Sequence, residues 1–314
     1  MNSGINYSFI IPHKNIPGLL QRCLDSIPRR KDVQIIVIDD NSDPDTVDFN
    51  NFPGLHDPCV NLVFTKEGRG AGFARNIGLT KADGKWLLFA DADDYFTNGF
   101  LDYIDKYNNS DFDLVYFGVY KVDKNKNQKL KTDYYYDRLM RNVLLHQKYD
   151  EYKYTAFVPW GKLIKHSLIK ENNIAFDETM AANDKLFSVK TAYYAKNIHY
   201  DPYRIYIYEL GSNIYSLTSR RKKTTLLKFN RFNAHIHLNN FLDSISQKKY
   251  KINTGSLLLK LISFHDMSYF YRGLNIMKEN KINIFIDLVE SCILYPYKKI
   301  FDFLSRLRYE KYII

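Results

Sequence analysis

Short, uninterrupted apolar runs alternate with stretches of helical spacing through the first 120 residues of this 314-residue chain. Tyr7-Ser8-Phe9-Ile10-Ile11 is a β run closed by Pro12. Gln34-Ile35-Ile36-Val37-Ile38-Asp39 is a second, apolar at successive rather than alternate positions. Such a run suits a strand covered on both faces, as in a parallel sheet. Val60–Phe64, Trp86–Ala90 and Leu114–Tyr120 read the same way. Between the strands, Leu20, Cys23 and Leu24 recur at helical spacing behind Pro17, a residue suited to a first turn, and Gly72–Ala82 forms a further helix. Strands alternating with helices predict a largely parallel sheet whose ligand site lies at the carboxyl ends of the strands.

The pattern then loosens. Lys121–Lys131 is polar and reads as an exposed loop, Asp137–Ala195 is mixed and mainly helical, and Tyr200–Tyr208 is one more strand. After the basic cluster Arg220-Arg221-Lys222-Lys223 the pattern is helical to the end. The predicted boundary falls near residue 218, giving an α/β domain over 1–218 and a helical region over 219–314.

Composition adds one asymmetry. The net charge is +10, but residues 1–218 hold 27 basic against 28 acidic residues and residues 219–314 hold 18 against 7. The two parts carry −1 and +11, so an anionic partner, membrane surface or nucleic acid, would be met by the last third. No run reaches 18 apolar residues, and the N-terminus lacks a basic stretch followed by an apolar one, so neither a spanning helix nor a secretory signal is predicted. Cys23, Cys59 and Cys292 have no metal-ligand spacing and cannot all pair, which points to a reducing, cytoplasmic setting.

Two buried strands end in carboxylates: Ile38-Asp39-Asp40 and Ala90-Asp91-Ala92-Asp93-Asp94. Carboxylates at such tips are costly unless they are hydrogen-bonded, metal-bound or facing a solvated cleft. Asp91 and Asp93, two apart at a turn, can present oxygens to one hard cation, Mn2+ or Mg2+, which would neutralise a departing diphosphate. The glycine-rich Glu67–Gly78 precedes or opens a helix, where Gly72 lets a ligand approach the backbone and the helix terminus favours phosphate. There is no P-loop lysine pattern and no dinucleotide fingerprint.

Four segments occur in order with short gaps: Tyr7–Asn15, Ile36–Ser42, Gly72–Gly78 and Phe89–Asp94. Together they closely resemble the family 2 glycosyltransferases, inverting enzymes of the GT-A fold, specifically over 7–95 and more loosely over 155–218. The resemblance implies a Rossmann-like mixed, mainly parallel sheet flanked by helices. It implies Pro12, His13 and Asp40 around the nucleotide base and Arg75 beside the nucleotide. Asp91 is expected on the ribose side and Asp93 on the metal; Gly72, Arg75, Asp91, Ala92 and Asp93 are expected nucleotide-binding residues, and Asp91 and Asp93 are candidate metal ligands. The family usually places its general base in a Glu-Asp pair at a helix start. Met180-Ala181-Ala182-Asn183-Asp184-Lys185 fits, with Asp184 as base and Asn183 where Glu is common. A helix-cap role suits Asn183 or Asp184 equally in kind. Val158-Pro159-Trp160-Gly161-Lys162-Leu163 also resembles the family, where the aromatic lines the acceptor side, although core packing would equally hold Trp160. His13-Lys14 departs from the usual residues before the asparagine.

Ile282, Ile284, Phe285, Ile286, Leu288, Val289 and Ile293 form a wide apolar arc opposite Asn283, Asp287, Glu290 and Ser291. A second apolar face follows Pro296. Apolar stripes flanked by cations suit an interfacial helix on an anionic membrane as well as a helix packed on the protein. The expected function is transfer of a sugar from a nucleotide-sugar, UDP-linked by family analogy, to a glycan or polyprenyl-linked glycan acceptor in cell-surface polysaccharide assembly. The protein would act at the inner face of the membrane, without nucleic acid. The alternatives are a non-catalytic nucleotide-sugar-binding module and a nucleotidyltransferase.

Overall fold

The computed structural model describes residues 4–123, 131–211, 224–262 and 267–291. The chain falls into two compact units, Met1–Ser219 and Arg220–Ile314. The basic cluster 220–223, Cys292 and the stripe beyond residue 291 lie outside the described residues.

The first unit begins β1 (Tyr7–His13), α1 (Pro17–Asp25), β2 (Val33–Asp40), β3 (Val60–Thr65), α2 (Ala71–Lys81), β4 (Trp86–Phe89). It continues β5 (Tyr95–Phe96), α3 (Phe100–Ile104), β6 (Leu114–Asp123), β7 (Lys131–Thr132), α4 (Tyr134–His146), α5 (Tyr149–Thr155). It closes with β8 (Lys162–Lys165), α6 (His166–Glu171), α7 (Asp184–Tyr194) and β9 (Ile198–Leu210). The nine strands form one mixed sheet in the order β3-β2-β1-β4-β8-β6-β9-β5, with β7 paired to β6.

Every residue of β1 and β2 is buried, which is why their runs do not alternate. Phe9, Ile11, Ile35 and Val37 face one core with Leu20, Cys23 and Leu24 of α1. Ile10, Ile36 and Ile38 face the other with Ala74 of α2. The central pairings β1–β2, β2–β3 and β1–β4 are parallel. Because β1 lies between β2 and β4, chain crossovers leave to both sides of it, and this is the switch point at which α/β sheets open a crevice beyond their carboxyl ends.

The sheet beyond β4 is where the pattern was least informative. β8 runs antiparallel between β4 and β6 inside a stretch that reads as mainly helical. It is four residues long, too short to declare a period. β6 also continues three residues into the segment expected to be a loop, and residues 124–130 lie outside the description.

In the second unit all described regular elements are helical: α8 (Thr225–Ser244), the short turn Lys248–Tyr250, α9 (Gly255–Leu259), α10 (Ser268–Glu279) and residues 284–291. Phe229, Phe232, Ile236, Leu258, Leu261 and Met277 make its core, against which Ile282 and Ile284 pack. Asp287 turns inward, accepting hydrogen bonds from Thr254 N, Gly255 N and Thr254 Oγ1 at 3.0, 3.0 and 2.5 Å. Phe285 and Ile286 are 76% and 52% exposed. The polar side of this helix is thus the anchored one, at least at Asp287. Among the described residues no helix is long and apolar enough to cross a membrane.

The contact of α2 with the sheet is set by Gly78, where a Cβ would fall 2.4 Å from Ile10 Cγ2 and 2.9 Å from Ile38 Cδ1. Replacing Gly78 by Ala should cost about 1–3 kcal/mol, the usual toll of overpacking, measured by chemical denaturation. Unchanged stability would show that the helix rides higher on the sheet.

Candidate active site

Five carboxylates stand at two strand ends, Asp39 and Asp40 on β2 and Asp91, Asp93 and Asp94 after β4. Asp39 at the end of β2 is 1% exposed and lies across from His13 at the end of β1. The backbone N–H of Ile16 donates to His13 Nε2 at 3.1 Å, so the proton of the neutral ring sits on Nδ1 and donates to Asp39 Oδ2 at 2.8 Å. Ser42 adds its N–H to Oδ1 at 2.9 Å and its hydroxyl to Oδ2 at 2.5 Å. Burial pushes the Asp39 carboxyl up, but the hydrogen bonds from His13 and Ser42 outweigh it and hold the group below the ordinary range. Both ring nitrogens of His13 are therefore committed, and its ring meets Phe52 edge-on. What Pro12 and His13, both buried at the end of β1, can offer a ligand is backbone.

Asp40 faces the other side, toward α2. Its Oδ2 accepts from Gly70 N at 2.8 Å and lies 3.9 Å from Lys14 Nζ. Its Oδ1 is buried without a hydrogen-bonding partner among the described residues. Burial raises its pKa, the Gly70 N–H and the Lys14 charge offsetting only part. A buried acceptor left open costs about 1–3 kcal/mol, which a ligand N–H would recover.

The acidic turn follows β4. Ala92 is 3% exposed and packs in the core, anchoring the turn by its methyl while Asp91 and Asp93 remain half-buried. One oxygen each from Asp91, Asp93 and Asp94 can be chosen so that all lie within 4.8 Å of one another. Asp94 is 4% exposed, and its oxygens accept from the Tyr206 hydroxyl at 2.9 Å and Glu209 N at 2.8 Å. The same hydroxyl accepts from Asp91 N at 2.9 Å. Burial, then the charges of Asp91 and Asp93, push the Asp94 carboxyl well above the ordinary range. Carboxylates repelling one another in this way form an all-oxygen donor set that fits a hard divalent cation. From α1, Arg22 holds the turn by donating to Asp93 O at 2.6 Å and pairing with Glu209 at 2.8 Å.

Arg75, in α2, is 5% exposed and spans the cleft. Its Nη2 donates to Asp91 Oδ1 at 2.5 Å and its Nη1 to Asn183 Oδ1 at 3.0 Å. Asp184 follows as the first residue of α7. Burial pushes its carboxyl up, with Arg75 and Lys185 pulling it back. The segment before it is held by α2: Asn76 exchanges hydrogen bonds with the Phe176 backbone at 3.0 and 2.8 Å. Gly72 is needed there for a close approach, since a Cβ would fall 2.1 Å from Asp177 O. Trp160 is 8% exposed and stacks between Tyr206 and Tyr208, ring centroids 5.3 and 5.1 Å away, so its ring is largely built into the aromatic core.

The structure thus gathers Asp40, Arg75, Asp91, Asp93 and Asp184 around one crevice, with Gly72, Ala92 and the His13 ring serving the walls. Two contributors carried no role in the pattern. Asp94 shared the acidic run with Asp91 and Asp93. Tyr206 arrives from β9 across a sequence gap of 112 residues, with no local mark.

The family model described as Glycosyl transferase family 2 matches residues 8–172. Among curated proteins, the chain is 23% identical over 212 residues to the uncharacterized glycosyltransferase EpsJ of Bacillus subtilis (66% of this chain, 61% of that protein). It is 29% identical over 201 residues to a poly(ribitol-phosphate) beta-glucosyltransferase of Bacillus spizizenii (61% of this chain, 30% of that protein). The chain therefore spans less than two thirds of either relative. Among solved structures, S. aureus TarS 1-349 in complex with UDP-GlcNAc aligns with a TM-score of 0.62 at 19% identity, covering 87% of this chain and 81% of that one. The mannosyltransferase PcManGT from Pyrobaculum calidifontis, in complex with GDP-Man and Mn2+, aligns with a TM-score of 0.52 at 16% identity, covering 94% and 88%. The sheet and its helices are those of the GT-A fold.

Removing the Tyr206 hydroxyl (Tyr206→Phe) takes a donor from Asp94 and an acceptor from Asp91 N. Manganese affinity by calorimetry should fall about 10- to 100-fold, as for the loss of an outer-shell partner of a metal ligand. An unchanged affinity would take Asp94 out of the cation's surroundings.

Proposed function

This chain belongs to glycosyl transferase family 2, and from that premise we propose that it is an inverting, metal-dependent glycosyltransferase. It would transfer a sugar from a UDP-sugar to a hydroxyl of a glycan or lipid-linked glycan in cell-surface polysaccharide assembly. The observation that carries the reading is the buried Oδ1 of Asp40, unpartnered among the described residues, at the end of β2, with β1 between it and the β4 end that bears the acidic turn. Asp40 would accept the ring N–H of a uracil. Asp91 and Asp93, backed by Asp94, would hold Mn2+ or Mg2+, whose positive charge stabilises a departing diphosphate.

Inversion by single displacement needs a base on the acceptor hydroxyl, opposite the leaving group. Asp184 suits it. Burial raises its proton affinity, which favours proton uptake, and the charges of Arg75 and Lys185 act against that rise. Arg75 fixes the distance between donor and acceptor sides by gripping Asp91 and Asn183 together. The donor class draws on TarS, solved with UDP-GlcNAc, and the polysaccharide setting on the poly(ribitol-phosphate) glucosyltransferase.

For the second unit, the exposed Phe285 and Ile286 and the basic balance of residues 219–314 support docking on an anionic membrane surface. Because Ile282, Ile284 and Asp287 belong to that unit's packing, point changes are the clean test. Replacing Phe285 and Ile286 together by Asp should lower co-sedimentation with anionic liposomes, whereas equal co-sedimentation would refute the surface.

In thermal-shift measurements with UDP, GDP, dTDP and CMP, each with and without manganese, a manganese-dependent rise with UDP is expected. The Asp184→Asn variant should keep that rise while transfer falls by about 10²- to 10⁴-fold, the usual worth of general acid–base catalysis. Wild-type turnover should fall on the acid side at a pH above the ordinary carboxylate value of about 4. A nucleotide shift with no turnover in either protein would instead identify a binding module.

A further inference from the structure

We propose that Lys14 is a specificity-determining residue for the nucleotide: its ammonium and the carboxylate of Asp40 form a donor–acceptor pair that receives the imide edge of uracil and turns away cytosine. The inference rests on the reading of Asp40 as the residue that takes the base. Lys14 follows β1, one residue beyond the last pair of the β1–β2 ladder, His13 opposite Asp39, and so comes to lie beside Asp40. Its Nζ donates to Asp40 O at 2.9 Å and stands 3.9 Å from Asp40 Oδ2. An ammonium carries three N–H donors, and among the described residues its hydrogen bond is the one to that carbonyl. The carboxylate is engaged on one oxygen, by Gly70 N at 2.8 Å, and Oδ1 has no partner among the described residues. Both halves of the pair therefore keep capacity for a ligand.

Three chain segments fix where the ammonium stands. Asn15 and Asn41, the residues after Lys14 and Asp40, both have positive φ, +59° and +60°, a region that asparagine enters more readily than most residues. The two turns they make are tied to each other, Asn15 N donating to Ser42 Oγ at 2.8 Å and Asp43 N to Asn15 Oδ1 at 2.7 Å. The glycine-rich loop closes a third side: Gly70 reaches Asp40, and a Cβ on Gly68 would stand 3.4 Å from Lys14 Nζ. The Lys14 side chain is still 46% exposed, which leaves the remaining side open to a ligand. Stitching the turns together does not call for a lysine, since the Asn15 bonds already do so.

The edges of the two pyrimidines make the pair selective. Uracil offers N3–H, a donor, next to O4, an acceptor, so that with N3–H on Asp40 the carbonyl O4 meets a cation. Cytosine in the same place turns its N3 lone pair to the carboxylate and its N4 amino group to the ammonium. Acceptor then faces acceptor and donor faces donor, and polar groups left unpaired in this way are the strongest source of rejection. Cytosine would match only by sliding along the pair, which a ribose and diphosphate tethered at the acidic turn would oppose. Asp40 by itself cannot supply this choice, because a carboxylate accepts equally from uracil N3–H and from the cytosine amino group. The lysine sets the order of donor and acceptor. Thymine and guanine carry the same order as uracil, so CDP is the matched probe, differing from UDP at this edge alone.

The test is calorimetric titration of UDP and CDP, in saturating manganese, into the full chain as wild type, Lys14→Met, Lys14→Gln and Lys14→Arg. Wild type should bind UDP at least about 10-fold more tightly than CDP, and K14R should keep that preference. In K14M the ratio of the two affinities should fall by about 10-fold, the worth of a hydrogen bond to a charged group. K14Q should also bring the two nucleotides together, because its amide can turn either N–H or C=O to the base. K14Q keeps a donor for the Asp40 carbonyl and is read alone should K14M fail to fold. A ratio unchanged in the folded, uncharged variant overturns the proposal, whether both affinities hold or both fall: the lysine would then act on the diphosphate through its charge, or not at all. If wild type itself shows no preference for UDP, the reading of Asp40 as the uracil acceptor fails instead. The two failures are thereby distinguished.

Discussion

The constraint on which this structure depends is electrostatic: carboxylates must stand at the tips of strands that are apolar on both faces. An unpartnered buried carboxylate is expensive enough to be protonated or to unfold its surroundings. Each one here is answered differently. Asp39 is answered by His13 and Ser42, Asp91 by Arg75, and Asp94 by Tyr206 and the Glu209 N–H. Asp40 is answered on one oxygen only. The satisfied groups build walls and hold loops, and the half-satisfied one is where a ligand has something to gain.

Arg75 gives the cleft its coherence. One guanidinium grips Asp91 with one nitrogen and Asn183 with the other. Where relatives commonly carry Glu, an Asn at 183 offers the guanidinium an acceptor without a second negative charge. Asp91 then remains its main counter-charge, and the adjacent Asp184 feels more of the positive field than it would beside another carboxylate. Gly72 and Asn76 make the same coupling mechanical, by letting and holding the 176–183 segment against α2.

The parallel half of the sheet is legible in the sequence because burial on both faces leaves a continuous apolar run, and β1, β2 and β4 are such runs. The acidic turn is legible because carboxylates after such a run break its logic. Asp184 could be named only through family resemblance, since nothing local separates a helix-start aspartate that caps from one that reacts. β8 was hidden by its length, and Tyr206 by distance along the chain. His13 was legible as a position and not as a role: which neighbour takes its ring nitrogens is decided by the register of β1 against β2.

The central claim is that the open oxygen of Asp40 receives the base of a uridine nucleotide. Calorimetric titration of UDP, in saturating manganese, into wild type and Asp40→Asn tests it directly, because Asn keeps the shape but can present an N–H where an acceptor is needed. The account predicts UDP binding weakened by about 1–3 kcal/mol, a factor of about 5 to 150. Equal affinity in the two proteins would contradict it.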